Sequence, residues 1–417
     1  MRRIAMLSVH TCPMAALGGK ETGGMNVYVR ELSRELGARD LLVDIYTRSQ
    51  DASRDRLRGL WPNVRVIHIP AGPEKPYGKH LVFEHLPQFA EGMREFALQE
   101  RLSYDLIHSH YWLSGWVARE VASVTPLPTV HMFHTLGRGK DAAARNEEQK
   151  ETAIRIEVEQ ELVHDLDCLT VATPLGKEQM VELYACDPAK IAVVPLGVDL
   201  DMFRPIPHHE AMTAIGIEVP MDQRLILFVG RLDPLKGLDN LLGAMCKLSD
   251  MEPELAKHLC LAVIGGNGEE DGPDLADSLE CLDELKRKAG LHDLVAFLGS
   301  RAQDTLANYY SAAEVCVVPS YYESFGLVAL EAMACGTPVI ASRVGGLQHT
   351  VEDGVTGFLV PSGDEDALAE KLRLVLTDGE LRQRLARRAR SSAQQYTWRV
   401  VAQRILSVYE ELWQKRK

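Results

Sequence analysis

Hydrophobic positions along the chain fall into short apolar runs separated by longer amphipathic stretches, and they do so in two successive series. In the first, Ile4–Val9, Leu42–Thr47, Val64–Ile69, Leu106–Ser109, Thr129–Phe133, Cys168–Ala172 and Ile191–Val194 read as strands. Met25–Leu36, Leu86–Leu98 and Leu113–Val121 carry apolar residues at helical spacing. The second series runs through Leu225–Val229, Cys260–Ile264, Val295–Leu298, Val315–Pro319, Val339–Ala341 and Phe358–Val360. Strands alternating with helices predict an α/β chain of two parallel, doubly wound halves. The join between the series, P-L-G-V-D-L-D-M-F-R-P-I-P, is rich in Pro and Gly. Domains are therefore expected at 1–195 and 208–395, with a linker at 196–207 and a last helix within 396–417.

Composition narrows the picture. A chain of 417 residues has room for two or three domains, and 46% hydrophobic with 25% charged residues is ordinary for a globular protein. A net charge of −13, with only an arginine cluster near 382–390, argues against a nucleic-acid partner. No apolar run reaches membrane-spanning length, and M-R-R-I-A-M-L-S-V-H reads as the first strand, not a signal peptide. The eight cysteines are scattered without a C-x-x-C pair, which points to reduced thiols in the cytoplasm.

Candidate chemistry is densest from Pro319 onward, in P-S-Y-Y-E-S-F-G-L-V-A-L-E-A-M-A-C-G-T-P-V-I-A-S-R-V-G-G. Ser324 is the expected N-cap of a helix reaching about Cys335, with Gly336 and Pro338 as its stop. The amides of Phe325, Gly326 and Leu327 then form an anion site suited to phosphate. Glu323 and Glu331 can border one cleft, although Glu331 on an ordinary exposed helix face is an equal reading. Earlier, G-G-K-E-T-G-G-M-N-V-Y-V (18–29) follows the first strand and suits a phosphate-wrapping loop, or a plain surface loop. Its spacing is not G-x-G-x-x-G, which argues against a dinucleotide oxidoreductase. H-S-H-Y-W-L-S-G-W (108–116) is either an aromatic platform for a sugar or a buried cluster. I-R-I-E-V-E-Q-E (154–161) has the composition of a solvated helix face. In F-V-G-R-L-D-P-L-K-G-L (228–238), Arg231 and Lys236 follow a strand, five apart, where two cations can neutralise a diphosphate.

The run E-S-F-G-L-V-A-L-E-A-M-A-C-G-T-P-V-I-A resembles the E-x7-E signature of the retaining family 4 glycosyltransferases, which have the GT-B fold of two Rossmann-like domains facing a cleft. T-G-G-M-N-V-Y-V resembles two of its branches, sucrose-phosphate synthase and the mycothiol-pathway inositol-phosphate N-acetylglucosaminyltransferase. The resemblance implies that Glu331 binds the ribose of a sugar nucleotide, while Glu323, Ser324 and the amides of Phe325 to Leu327 hold its sugar and diphosphate. It places Gly23, Gly24, Arg231, Lys236 and Gly265 (of V-I-G-G-N-G, 263–268) around the donor, and Arg301 of F-L-G-S-R beside the base. His134 falls by the reaction centre. Asn26, Lys79, Tyr111, Thr135 and Arg155 are implied for the acceptor, with Arg155 and Lys79 on its phosphate. In this fold the last helix crosses back to the first domain.

The implied activity is retaining, without metal or cofactor, and moves a hexosyl unit from UDP-glucose or UDP-N-acetylglucosamine to a phosphorylated sugar or polyol. Here L-G-R-G-K favours fructose 6-phosphate and S-H-Y-W-L-S-G favours inositol phosphate. The expected assembly is a monomer or homodimer. A nucleotide-sugar epimerase of the same fold, and a transferase with a lipid or polysaccharide acceptor, are the other readings.

Overall fold

The computed structural model describes residues 1–15, 22–216, 223–266 and 295–415, which form two compact units. The first contains residues up to Leu196 and the helix Trp398–Gln414. Its strands are β1 (Arg3–Leu7), β2 (Leu42–Arg48), β3 (Leu57–Trp61), β4 (Val64–Ile69), β5 (Leu106–His110), β6 (Thr129–Met132), β7 (Cys168–Val171) and β8 (Ile191–Val193). They form one sheet in the order β3-β4-β2-β1-β5-β6-β7-β8, parallel except for β3, which runs antiparallel on β4. The sheet grows from β1 in both directions, with Ile4 in register with Val43 on one side and Leu106 on the other. That reversal is the point at which open α/β sheets bind ligands, at the carboxyl ends of the strands. Ile4, Ala5, Met6 and Leu7 are wholly buried, because helices cover both faces.

Strand β3 was not expected. L-R-G-L-W is largely exposed at the sheet edge, so no buried face writes an alternating pattern into it. On the sheet, the helices Leu86–Gln99, Trp112–Val124 and Ala153–Asp165 pack Phe89, Met93, Leu113, Val117 and Leu162 into one core. The helix Trp398–Gln414 packs on the helix Gly24–Gly37, with the Tyr28 and Trp398 rings 5.8 Å apart. Tyr409 also shares a 2.6 Å hydrogen bond with His108 Nδ1.

In the second unit β9 (Arg224–Val229), β10 (Leu259–Ile264), β11 (Val295–Gly299), β12 (Val315–Val318), β13 (Val339–Ser342) and β14 (Gly357–Val360) are all parallel. Their order is β11-β10-β9-β12-β13-β14, with its reversal between β9 and β12. Residues 197–207, expected as a linker, belong to this unit. Val198 bridges to Thr397, and buried Phe203 lies 6.0 Å from the Tyr310 ring. The helix after β12 spans Leu327–Ala334, later than Ser324 predicts. Gly326, at φ 92°, is its cap, and that left-handed backbone prevents the helix from starting earlier. Gly336, at φ 79°, ends it as expected. No helix among the described residues is long and apolar enough to cross a membrane.

Candidate active site

In the first unit the site builds up at the ends of β5 and β6. The chain leaves both strands through non-glycine residues in left-handed conformations, Tyr111 at φ 72° and His134 at φ 61°. Such conformations cost on the order of 1–3 kcal/mol and persist only where surrounding contacts enforce them. Arg155 ties the two exits together. Its Nη1 donates to the Tyr111 hydroxyl at 3.1 Å, and its Nη2 donates to the Thr135 carbonyl at 2.8 Å and hydroxyl at 3.1 Å. Three expected acceptor residues therefore meet, and Lys79 Nζ lies 5.8 Å from the Tyr111 ring centroid.

Arg155 does not stand on a solvated face. Its side chain is 1% exposed, with Nε donating to Glu159 at 2.7 Å and Nη1 also 2.8 Å from Glu151. A buried guanidinium is tolerable only when paired in this way. His134 is half-buried, with Nε2 3.0 Å from His110 Nδ1. Burial lowers its pKa to about 3, so at neutral pH it is an uncharged hydrogen-bonding group.

Asn26 is held by the loop that precedes its helix. Its Oδ1 accepts from the Gly23 amide at 3.0 Å, and its Nδ2 donates to Thr11 Oγ1 and the Cys12 carbonyl at 2.9 and 2.8 Å. The amide thus ties the loop after β1 to the start of the helix Gly24–Gly37. A Cβ added to Gly23 would meet no atom of the described residues within 4 Å.

Three residues were not singled out from sequence. His10 packs on Tyr111 with ring centroids 4.6 Å apart, and its place just beyond β1 was the available signal. Lys140, the last residue of L-G-R-G-K, and Glu151 form an ion pair that also touches Arg155. Glu151 lies between helical segments, where no pattern marks it.

In the second unit, the Asp233 carboxylate accepts from the Leu235 amide at 2.9 Å, shaping the turn that carries Lys236. Lys236 Nζ donates to Glu323 Oε2 at 2.6 Å. Burial alone would raise the Glu323 pKa, but the Lys236 charge and the amides of Phe325 and Gly326 outweigh it and hold the carboxylate ionised. A Cβ on Gly345 would fall 1.8 Å from the Glu323 carbonyl, so the glycine turn after β13 clamps this loop. Ser324 and Leu327 are half-buried beside it, whereas the Phe325 ring is in the core and leaves only backbone to offer. Arg231 lies 3.5 Å from Asp233, in the same loop as Lys236.

Glu331 is neither exposed nor unpaired. It is 7% exposed, and its two oxygens accept from Tyr310 at 2.9 Å and Gln303 at 3.2 Å. Arg301 donates to Tyr309 at 3.0 Å, so residues 301–310 gather beside Glu331. Gly265, at φ 145°, approaches Gly230 so closely that a Cβ would stand 1.7 Å from its carbonyl. Asn267 and Gly268 of the Gly-rich stretch lie outside the described residues.

Two doubly wound halves, the second carrying a lysine–glutamate pair at the exits of β9 and β12, define a glycosyltransferase of the GT-B class. Residues 22–202 match Glycosyltransferase Family 4, and residues 215–392 match Glycosyl transferases group 1. The chain belongs to the family 4 glycosyltransferases. It is 42% identical to a D-inositol 3-phosphate glycosyltransferase of Saccharomonospora viridis, over 98% of this chain and 94% of the relative. It is 40% identical to that of Kribbella flavida, over 98% and 95%. Among solved structures, it is similar to sucrose-phosphate synthase from Thermosynechococcus elongatus, with a TM-score of 0.90, 35% identity and full coverage of both chains.

Proposed function

We propose that the protein is a retaining hexosyltransferase that takes its sugar from a nucleoside diphosphate donor and passes it to a hydroxyl of a phosphorylated sugar or polyol. The observation that carries this reading is the convergence of Tyr111, Thr135 and Arg155, with Lys79 and Lys140 beside them, at strand ends of the first unit. Cations and hydroxyls in one place suit a phosphate flanked by hydroxyl groups. Relatives named for D-inositol 3-phosphate, and the likeness to sucrose-phosphate synthase, support the same acceptor class.

On this reading the second unit holds the donor. Lys236 and Arg231 stabilise charge developing on the leaving diphosphate, the amides around Gly326 bind its oxygens, and Glu331 accepts from the ribose hydroxyls. Arg301 lies beside the base, and Gly265 gives room for the nucleotide. Neutral His134 accepts or donates a hydrogen bond at the sugar without adding charge. The buried thiols of Cys260, Cys316 and Cys335 suit the reducing cytoplasm.

The test is nucleotide release from UDP-glucose and UDP-N-acetylglucosamine, each with and without D-inositol 3-phosphate or fructose 6-phosphate. The reading predicts release that requires one of these acceptors. Conversion of the donor with no acceptor present would instead identify an epimerase.

A further inference from the structure

Two carboxylates meet the Arg155 guanidinium, and they are built differently. Glu159 is wholly buried and accepts from Arg155 Nε, the Gly137 amide and the Tyr184 hydroxyl. It belongs to the framework of the helix Ala153–Asp165. Glu151 precedes that helix, and its side chain is 13% exposed. One oxygen, Oε1, takes both Lys140 Nζ and Arg155 Nη1. Its backbone amide donates to Asp141 at 2.7 Å. The preceding residues 145–148 are exposed, so moving the Glu151 side chain does not require opening the core. A single carboxylate oxygen between an ammonium and a buried guanidinium stands where an oxyanion of a ligand would stand.

We propose that Glu151 is a specificity-determining residue, an internal anion that fills the acceptor-phosphate position in the empty enzyme and yields it only to a phosphate. The inference rests on the reading that the acceptor is phosphorylated. With Glu151 in place, its Oε1 is shared by Lys140 and Arg155. With Glu151 displaced, Lys140 and Arg155 lose that shared carboxylate and Arg155 keeps Glu159, so the position becomes more positive and suits a phosphate. A phosphate also offers three strong acceptor oxygens to these donors, more than the one oxygen that Glu151 presents. A neutral polyol or a weak monoanion offers no such exchange and leaves Glu151 in its place. Selectivity thus arises by competition with a group of the protein itself, a form of discrimination against the wrong ligand. The cations meanwhile remain paired and ordered between turnovers. The Lys140 and Arg155 charges, with Lys79 adding to them, hold the Glu151 carboxyl ionised, down to about 2 against the opposing effect of burial. The stand-in is therefore an anion throughout the neutral range.

The test is Glu151→Gln in the full chain, with inorganic phosphate as the probe in calorimetry. Glutamine keeps the size of the side chain and removes its charge. Phosphate should bind roughly tenfold tighter to the variant, since a like charge a few ångströms from the ligand has gone. The KM for the phosphorylated acceptor should fall while that for its dephosphorylated form does not. Glu151→Asp keeps the charge and should bind phosphate no more than about twofold differently from the unmutated chain. Unchanged or weaker phosphate binding in Glu151→Gln would overturn the proposal and make Glu151 a structural partner of Arg155, as Glu159 is. Tightening by the glutamine and aspartate variants alike would also overturn it, because charge would not be the cause. If the unmutated enzyme used phosphorylated and dephosphorylated acceptors equally, the functional reading itself would fall; failure of the glutamine variant alone leaves that reading standing.

Discussion

Lowering the pH from 7.5 to 5.5 should destabilise the first unit severely, and the amount follows from its buried histidines. His108, His110 and His131 are wholly buried and His10 is 8% exposed. Desolvation lowers the pKa of all four, to about 3 for His10 and His108, and well below the ordinary range for His110 and His131. Neighbouring Lys79, His134 and Arg155 push His10 the same way. His108 Nε2 and His131 Nε2 have no hydrogen-bond partner among the described residues, so nothing stabilises an added proton there. In the unfolded chain each ring titrates near 6.5. Below that pH the unfolded state binds protons that the folded state refuses. Stability is thus fully present above 6.5 and is lost as pH falls towards the folded values. His134, lowered to about 3 by the same desolvation, adds a fifth ring. Each ring removes about 1.4 kcal/mol per pH unit below 6.5, so five rings remove about 7 kcal/mol between pH 7.5 and 5.5. That is a large part of the 5–15 kcal/mol typical of a domain.

Urea unfolding followed by tryptophan fluorescence measures this directly. Trp61, Trp112, Trp116, Trp398 and Trp413 all lie in the first unit. The unfolding free energy should fall by several kcal/mol at the lower pH, and His131→Asn should remove roughly a fifth of the dependence. Equal stability at the two pH values would mean that the folded imidazoles accept protons, and the burial argument would be wrong.

Three other outcomes follow from the site. Lys236→Ala should lower kcat roughly 100-fold with the fold intact, because it removes a preorganised cation from the leaving diphosphate; near-normal turnover in a folded variant would reject that role. Glu331→Ala should weaken UDP binding by about 1.5–3 kcal/mol in calorimetry, the worth of a hydrogen bond to a charged acceptor, and unchanged affinity would confine Glu331 to holding Tyr310 and Gln303. Arg155→Ala should raise KM for a phosphorylated acceptor far more than for its dephosphorylated form, with circular dichroism checking the fold; an equal rise for both would leave Arg155 with only its grip on Tyr111 and Thr135.

Both sheets were legible in the sequence because parallel strands buried on two faces are written as unbroken apolar runs. Exposed β3 carries no such record. The late start of the helix Leu327–Ala334 was hidden because Ser324 is a good cap by type, and only the backbone shows that Gly326 takes the left-handed turn. Glu331 looked out of place in an apolar run because its partners, Gln303 and Tyr310, come from an earlier segment. Arg155 and Glu159 face inward together with Val158 and Leu162, so polar and apolar residues share one side of that helix. Amphipathic patterning cannot mark such a face. The convergence of Tyr111, Thr135 and Arg155 came from motif resemblance, whereas Lys140 and Glu151 needed coordinates.

The central claim is that the enzyme reads a phosphate on its acceptor. Its most direct test is kcat/KM for transfer to D-inositol 3-phosphate or fructose 6-phosphate, whichever is used, against the same compound without its phosphate. Loss of contacts to two or three cations should cost on the order of 3 kcal/mol or more, a drop of at least about 100-fold. Equal kcat/KM for the two forms would contradict the account.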